Sequence, residues 1–264
     1  MKSFYDVINI ATVLAPDAAI PPPMSANESI LLFDATQSDI ESTSRALESS
    51  GAEERVAWAL TRFPERIVLS SSFGVQAAVM LHMVTRQRPD IPVIFVDTGY
   101  LFKETHAFVE ELRAQLDLNL KVFCPRFTPH WQETHLGRLW EQDLEGIEVY
   151  NRINKVEPLS RALRLLQTQV WFSGIRRQQS ALRAAMGVLV RRNGRLRVHP
   201  IIDWTDRQIH EYLRAHRLPY HPLWHRGYVS IGDRHTTRPL TADISEEETR
   251  FLGLKRECGI HEQL

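Results

Sequence analysis

Short runs of apolar, β-branched residues alternate along this chain with stretches of helical periodicity, and that alternation restricts the fold more than any other feature. Arg66-Ile67-Val68-Leu69-Ser70 is the first such run, and Val75 to Val84 after it reads as a buried helix. Pro92 to Asp97 is apolar without a polar alternate, as expected of a strand covered on both faces. Phe108, Val109, Leu112 and Leu116 line one face of a helix, Leu120 to Cys124 reads as a third strand, and Gln169 to Ser173 as a fourth. Strands punctuated by helices predict an α/β fold with a parallel twisted sheet flanked by helices. A later helix is signed at its start. Thr205 and Gln208 have capping-box spacing, Trp204 and Ile209 have staple spacing, and Ile209, Tyr212 and Leu213 give the buried stripe.

The remainder divides around this region. Pro21-Pro22-Pro23 is a stiff break, so residues 1–50 are expected to form an appendage, partly disordered. Residues 51–240 form the α/β domain. From 241 to 264 the chain turns polar, with Glu246-Glu247-Glu248, and is expected to be a surface helix followed by a mobile tail. Lys+Arg and Asp+Glu are both 32, which argues against a bulk electrostatic nucleic-acid binder. Two cysteines supply neither a disulfide framework nor the four thiolates of a zinc ribbon or iron–sulfur cluster. No apolar run reaches the roughly 18–20 residues that span a bilayer. The N-terminal residues lack the charged and apolar regions of a signal peptide, so the expected compartment is the cytoplasm, where thiols stay reduced.

Four segments carry chemistry. Ser70-Ser71-Ser72-Phe73-Gly74-Val75-Gln76 lies between a strand and a helix, either an anion cradle of hydroxyls and N–H groups or an ordinary polar turn; it lacks the Gly-Lys-Ser/Thr ending of a Walker A loop. Asp97-Thr98-Gly99 ends the next strand, where an Asp orients a ribose or base or caps a helix. Gly174-Ile175-Arg176-Arg177-Gln178-Gln179-Ser180-Ala181-Leu182-Arg183 follows the fourth strand, and its guanidinium forks suit phosphate or sulfate oxygens. Gly227 to Pro239 is a loop rich in donors. His221, His225 and His235 match no zinc spacing and are read as loop histidines.

The tail Lys255-Arg256-Glu257-Cys258-Gly259-Ile260-His261-Glu262-Gln263-Leu264 holds one of the two cysteines. Lys255 and Arg256 favour its thiolate and Glu257 opposes them, so the thiol is either a tethered nucleophile or an incidental surface cysteine. Cys124, at the end of an apolar run, is expected to be a small buried hydrophobe.

These segments resemble the adenylyl-sulfate and phosphoadenylyl-sulfate (PAPS) reductases, and most closely the cluster-free bacterial PAPS reductases. The resemblance covers about residues 52–262. It rests on SSSFGVQ (70–76), VDTGYLF (96–102), KVEP (155–158), GIRRQQSALR (174–183), PIIDW (200–204), YHPLW (220–224), GYVSIGDRHTTRP (227–239) and EEETRFLGLKRECGIHE (246–262). It implies an adenine-nucleotide α-hydrolase-like, Rossmann-like fold in which Ser70–Gln76 is a modified pyrophosphate loop. It also implies that Cys258 attacks the sulfur of PAPS, releasing adenosine 3′,5′-bisphosphate. Reduced thioredoxin, or glutaredoxin, would then release sulfite from the S-sulfocysteine, as part of assimilatory sulfate reduction. The substrate-binding set it implies is Ser70, Ser71, Ser72, Phe73, Gly74, Gln76, Asp97, Thr98, Gly99, Lys155, Gly174, Arg176, Arg177, Ser180, Arg183, Arg238 and Arg250, with no metal ligand. In the cluster-bearing adenylyl-sulfate branch, four cysteines stand where this chain has Tyr150-Asn151 and Asp233…Thr236, so no iron–sulfur cluster is expected and PAPS is the expected substrate. A homodimer is the expected assembly. The alternatives are a cluster-free adenylyl-sulfate reductase, an adenylyltransferase like the ATP sulfurylase small subunit, and a nucleotide sensor. The last two have no use for a terminal thiol.

Overall fold

A computed structural model describes residues 36–254. The chain runs α1 (Gln37–Leu47), α2 (Ala52–Arg62), β1 (Ile67–Ser70), α3 (Ala78–Thr85), β2 (Val93–Val96), α4 (Lys103–Gln115), β3 (Leu120–Phe123), α5 (Pro129–Leu136), α6 (Leu144–Asn151), α7 (Glu157–Leu165), β4 (Val170–Phe172), β5 (Leu189–Arg192), β6 (Arg195–Val198) and α8 (Asp206–Ala215). The six strands form one sheet in the order β3-β2-β1-β4-β6-β5, parallel throughout except for antiparallel β5.

The apolar runs become strands because both of their faces are covered. Val68, Ile94 and Trp171 pack under Leu159, Ala162 and Leu163 of α7. The alternate residues Ile67, Leu69, Val93, Phe95, Val170 and Phe172 point the other way and are buried as well. The α8 start behaves as its residues predict: Thr205 Oγ1 accepts from Gln208 N at 3.3 Å, and Thr205 N donates to Gln208 Oε1 at 2.8 Å.

Two expectations need correction, and two features add to them. The helix expected from Val75 begins at Ala78, because Gly74 to Ala77 forms a turn (Ala77 N to Gly74 O, 3.1 Å). Ordered secondary structure also precedes residue 51. Helix α1 lies inside the compact unit Ala35–Leu264, burying Ile40 and Leu47 and accepting a hydrogen bond from Leu189 N on Ser44 Oγ at 3.0 Å. The hairpin β5–β6 was missed although it carries an Asn-Gly signal: Asn193 (φ 47°) and Gly194 (φ 72°) both take the left-handed conformation that a tight two-residue turn needs. The expected helix after 240 is instead two 3-10 turns, Glu247–Thr249 and Phe251–Gly253, pinned by buried Thr249 and Phe251. Residues 1–35 and 255–264, which include Cys258, lie outside the described residues. Among the described residues no helix is long and apolar enough to cross a membrane.

Arg55 of α2 locks the N-terminal helices to the far end of the sheet. Its guanidinium is buried and directs five hydrogen bonds: to Leu47 O (2.9 Å), Glu48 O (3.0 Å), Pro200 O (2.8 Å), and Asp203 Oδ1 (2.7 Å) and Oδ2 (2.9 Å). The fork thus satisfies carbonyls at the end of α1 while holding a carboxylate bidentately.

Two buried imidazoles set an acid limit on the fold. His221 Nδ1 accepts from Leu223 N at 3.1 Å, which leaves the proton on Nε2 for Thr105 Oγ1 at 3.0 Å. His199 Nδ1 lies 3.0 Å from Gly187 O. Burial pushes both pKa values down to about 4 from 6.5. The unfolded chain therefore binds more protons between those values. Stability is fully present above pH about 6.5 and falls on acidification towards pH 4, by up to about 1.4 kcal/mol per pH unit for each group. Denaturant midpoints at pH 7 and pH 5 should show this slope, and His221→Gln should reduce it by one group's share. A midpoint independent of pH over that window would contradict it.

Candidate active site

The order of the sheet dictates where a ligand can sit. From β1 the chain adds β2 and then β3 on one side, and returns to place β4 on the other. The loops after β1 and β4 therefore diverge and leave a crevice at the carboxyl ends of the strands, the position where open parallel sheets take ligands.

Ser70 to Gln76 forms one wall. Ser70 Oγ accepts from Trp171 Nε1 at 2.6 Å, tying β1 to β4. Ser71 N donates to Ile94 O, and Ser71 Oγ accepts from Phe73 N, each at 3.0 Å. Phe73 adopts φ 49° and is fully buried edge-on to Phe95, with ring centroids 5.1 Å apart. This strained conformation is held by the packing of its ring. Ser72 is left exposed and Gly74 half-buried just ahead of α3.

Asp97 uses its carboxylate on its own turn, accepting from Gly99 N at 2.8 Å, and does not cap α4. Gly99 has φ 76°, and a Cβ there would sit 2.8 Å from Pro129 Cγ, so the turn needs glycine. Gly174 needs glycine for space, since its Cβ would lie 2.8 Å from Met80 Cγ. Next to it, buried Arg176 bridges the two walls. It donates to Gln76 Oε1 (3.0 Å), Asp206 Oδ1 (2.7 Å) and Trp204 O (3.2 Å).

Arg177 turns away from these residues. Its guanidinium pairs with Glu48 and donates to Met186 O at 2.9 Å, so the structure does not bring it together with Ser70–Gln76. Ser180 lies between two short 3-10 turns, Arg177–Gln179 and Ala181–Arg183, and Arg183 donates to Gln179 Oε1. Arg238 spends its Nε on Glu248 O at 2.9 Å. Arg250 donates to Ser230 Oγ at 3.3 Å and lies flat against Gly232, where a Cβ would come within 2.2 Å of Nη2.

A second constellation lies beyond Thr98. Between α6 and α7 the helix widens into a π turn, Arg152–Val156, closed by Glu157 N to Arg152 O. Pro158 is the physical cause: it has no N–H for the preceding turn, and its ring displaces the carbonyl of Asn154. The widened turn carries Lys155, which is buried with its Nζ 2.7 Å from Asp233 Oδ2. Thr98 Oγ1 donates to the other oxygen of Asp233. Burial would raise the Asp233 pKa, but the charge and hydrogen bond of Lys155, with Thr98, bring it down to about 2. Burial, assisted by the Asp233 charge, raises the pKa of Tyr150. His235 lies among Tyr100, Trp140 and Tyr150, and burial drives its pKa down to about 4. Lys155 Nζ is 4.9 Å from the Phe251 ring centroid, and the Arg250 guanidinium is 5.6 Å from it.

The Phosphoadenosine phosphosulfate reductase domain model matches residues 66–239, which include both walls of the crevice and the Lys155–Asp233 pair. The chain belongs to this family. It is 61% identical over 224 residues to the phosphoadenosine 5′-phosphosulfate reductase of Alkalilimnicola ehrlichii, covering 85% of this chain and 91% of that one. It is 58% identical over 223 residues to the protein of the same name from Sodalis glossinidius, covering 84% and 91%. Among solved structures it resembles the phosphoadenylyl-sulfate reductase of Candida auris, solved as a phosphate complex, with a TM-score of 0.68 at 27% identity, covering 77% of this chain and 98% of that one. A Candida glabrata FMN adenylyltransferase shares the fold alone, at a TM-score of 0.55 and 17% identity, with coverage of 80% and 71%. The adenine-nucleotide α-hydrolase-like fold expected from the motifs is the one found.

The side chains present do not fit the iron–sulfur cluster of the adenylyl-sulfate branch. Tyr150, Asn151, Asp233 and Thr236 occupy the corresponding positions, all buried, and offer no thiolate. Cys124 differs from its expected role: it is exposed at the end of β3, because β3 is the outermost strand on its side and only half covered. Partial burial and the Asp97 charge push its thiol pKa up, opposed by Arg161, so it is a poor nucleophile. Tyr150 and Asp233 entered the sequence reading only as missing cluster ligands, and Trp140 did not enter it at all. The signal for Asp233 was a lone carboxylate in a loop whose other ionisable side chains are Arg234, His235, Arg238 and Tyr228.

Proposed function

We propose that the protein reduces 3′-phosphoadenylyl sulfate to sulfite and adenosine 3′,5′-bisphosphate, in the cytoplasm and as a step of sulfate assimilation. Identity of 61% to a relative bearing that reductase name carries the reading. The Ser70–Gln76 loop and the turn after β4 would hold the phosphosulfate end of the nucleotide, with Lys155 and Arg250 at the sulfonate. Asp97 and Gly99 would border the nucleoside.

The Cys258 thiolate attacks the sulfonate sulfur. An S–S bond forms, the sulfur–oxygen bond to the phosphate breaks, and the electron pair leaves with adenosine 3′,5′-bisphosphate. A thiolate of reduced thioredoxin then attacks Cys258 Sγ and displaces sulfite. Its second thiol resolves the mixed disulfide, so the dithiol supplies both electrons and Cys258 is regenerated. Reach permits this. Cys258 is four residues past Leu254, and four residues span at most about 14 Å, while Phe251 already touches Lys155.

Incubating the enzyme with PAPS and no reductant should give one turnover, a mass gain of about 80 Da expected for one SO₃ group, and the added mass on the Cys258 peptide. Reduced thioredoxin should remove it with release of sulfite. Consumption of PAPS without added mass would exclude the covalent route. Equally fast labelling by adenylyl sulfate would keep the route and refute the substrate.

A further inference from the structure

We propose that Asp233 is a positioning residue for the reductase reaction, acting through Lys155, whose ammonium group it holds in place. The proposal rests on the reading that Lys155 meets the sulfonate.

A buried ammonium group is stable only beside an anion, and a buried carboxylate only beside a cation or several donors. Here each supplies the other at 2.7 Å. The carboxylate is fixed independently of the lysine. Thr98 Oγ1 donates to it from the end of β2, its backbone bridges Leu101, and Arg234 N donates to Tyr100 O at 3.0 Å. The lysine stands on the widened turn before Pro158, and its ammonium nitrogen lies 5.3 Å from the Tyr150 ring centroid and 4.9 Å from that of Phe251. Asp233 therefore joins a rigid strand end to the cation and determines where the ammonium group points.

Donor capacity remains on the far side. An ammonium group has three N–H donors, and Lys155 Nζ makes no well-directed hydrogen bond among the described residues beyond its ion pair. Arg250 Nε is buried and likewise without an acceptor. Two cations thus share the Phe251 ring with unfilled donors, and one of them, Lys155, is paired with Asp233. That arrangement suits the oxygens of a terminal oxyanion. Asp233 itself repels such a group, so its contribution to the reaction must come through the lysine.

The test is a double-mutant cycle on the full chain, reading kcat for sulfite release from PAPS, the Kd for adenosine 3′,5′-bisphosphate, and the melting temperature. Lys155→Met and Asp233→Asn should each lower kcat about tenfold or more, with Kd changed by less than about threefold. The double variant should match Lys155→Met in kcat to within about twofold, because residues acting as one unit are not additive. Asp233→Asn should melt lower, since it leaves a buried charge unpaired, and the double variant should recover the melting temperature without recovering kcat. If Asp233→Asn does not fold, the double variant against Lys155→Met decides alone. Wild-type kcat in Asp233→Asn, or multiplied losses in the double variant, would overturn the proposal. Wild-type kcat in Lys155→Met would instead remove Lys155 from the sulfonate, and the proposal with it, while the Cys258 adduct would still form.

Discussion

Cys258→Ser is expected to lower sulfite release by about a thousandfold or more, because in the proposed mechanism it removes the nucleophile of both half-reactions. A serine hydroxyl, almost fully protonated at neutral pH, neither attacks the sulfonate nor leaves thioredoxin a sulfur to strike. Binding of adenosine 3′,5′-bisphosphate should persist within about twofold, since the residues proposed to hold the nucleotide are unchanged. Steady-state assays with saturating reduced thioredoxin, paired with calorimetric binding, would measure both. Appreciable turnover in the serine variant would refute the mechanism. Cys124→Ser is the matched control. That thiol is exposed at the end of β3 and its pKa is raised, so activity should be retained.

Arg55→Met should destabilise the protein by about 3–5 kcal/mol, the loss typical when one partner of a buried ion pair is removed. Three carbonyls lose their donor, and Asp203 loses both bonds of its bidentate partner. Partial exposure of Asp203 lets water re-solvate it and favours the lower end of the range. For a domain of this size the melting temperature should fall by roughly 6–20 °C. Arg55→Lys should recover only part, because one ammonium group cannot replace a planar five-donor fork. Activity per folded molecule should be unchanged. A loss below about 1 kcal/mol would show that the network is not what holds α1 and α2 in place.

The parts of the fold readable from the chain were those whose signal is local. Doubly covered strands are apolar at every position, so β1, β2 and β4 stand out, and the α8 cap lies within four consecutive residues. What escaped depends on distant partners. Ser44 and Ile40 look like polar-helix residues until β5 is beneath them. Arg176 and Arg177 are neighbours of identical type, yet one joins Gln76 to Asp206 and the other faces Glu48, because Arg176 is extended while Arg177 begins a 3-10 turn. The same holds for the site. The serine loop and Gly174 were legible by their place after strands. Asp233 was not, since nothing near it in sequence announces Lys155. Cys124 was misjudged because the apolar run of β3 is read without knowing that β3 ends the sheet.

The placement of α1 has a consequence for how molecules of this protein meet one another. Among the described residues β5 is the last strand on its side of the sheet. A sheet edge is where a second chain can add as a further strand, the first step towards aggregation. Here Ser44 already takes the Leu189 N–H, and α1 lies across the strand. The helix that looked dispensable in sequence thus covers part of a sheet edge, and a shortened form beginning at residue 51 would lose that cover.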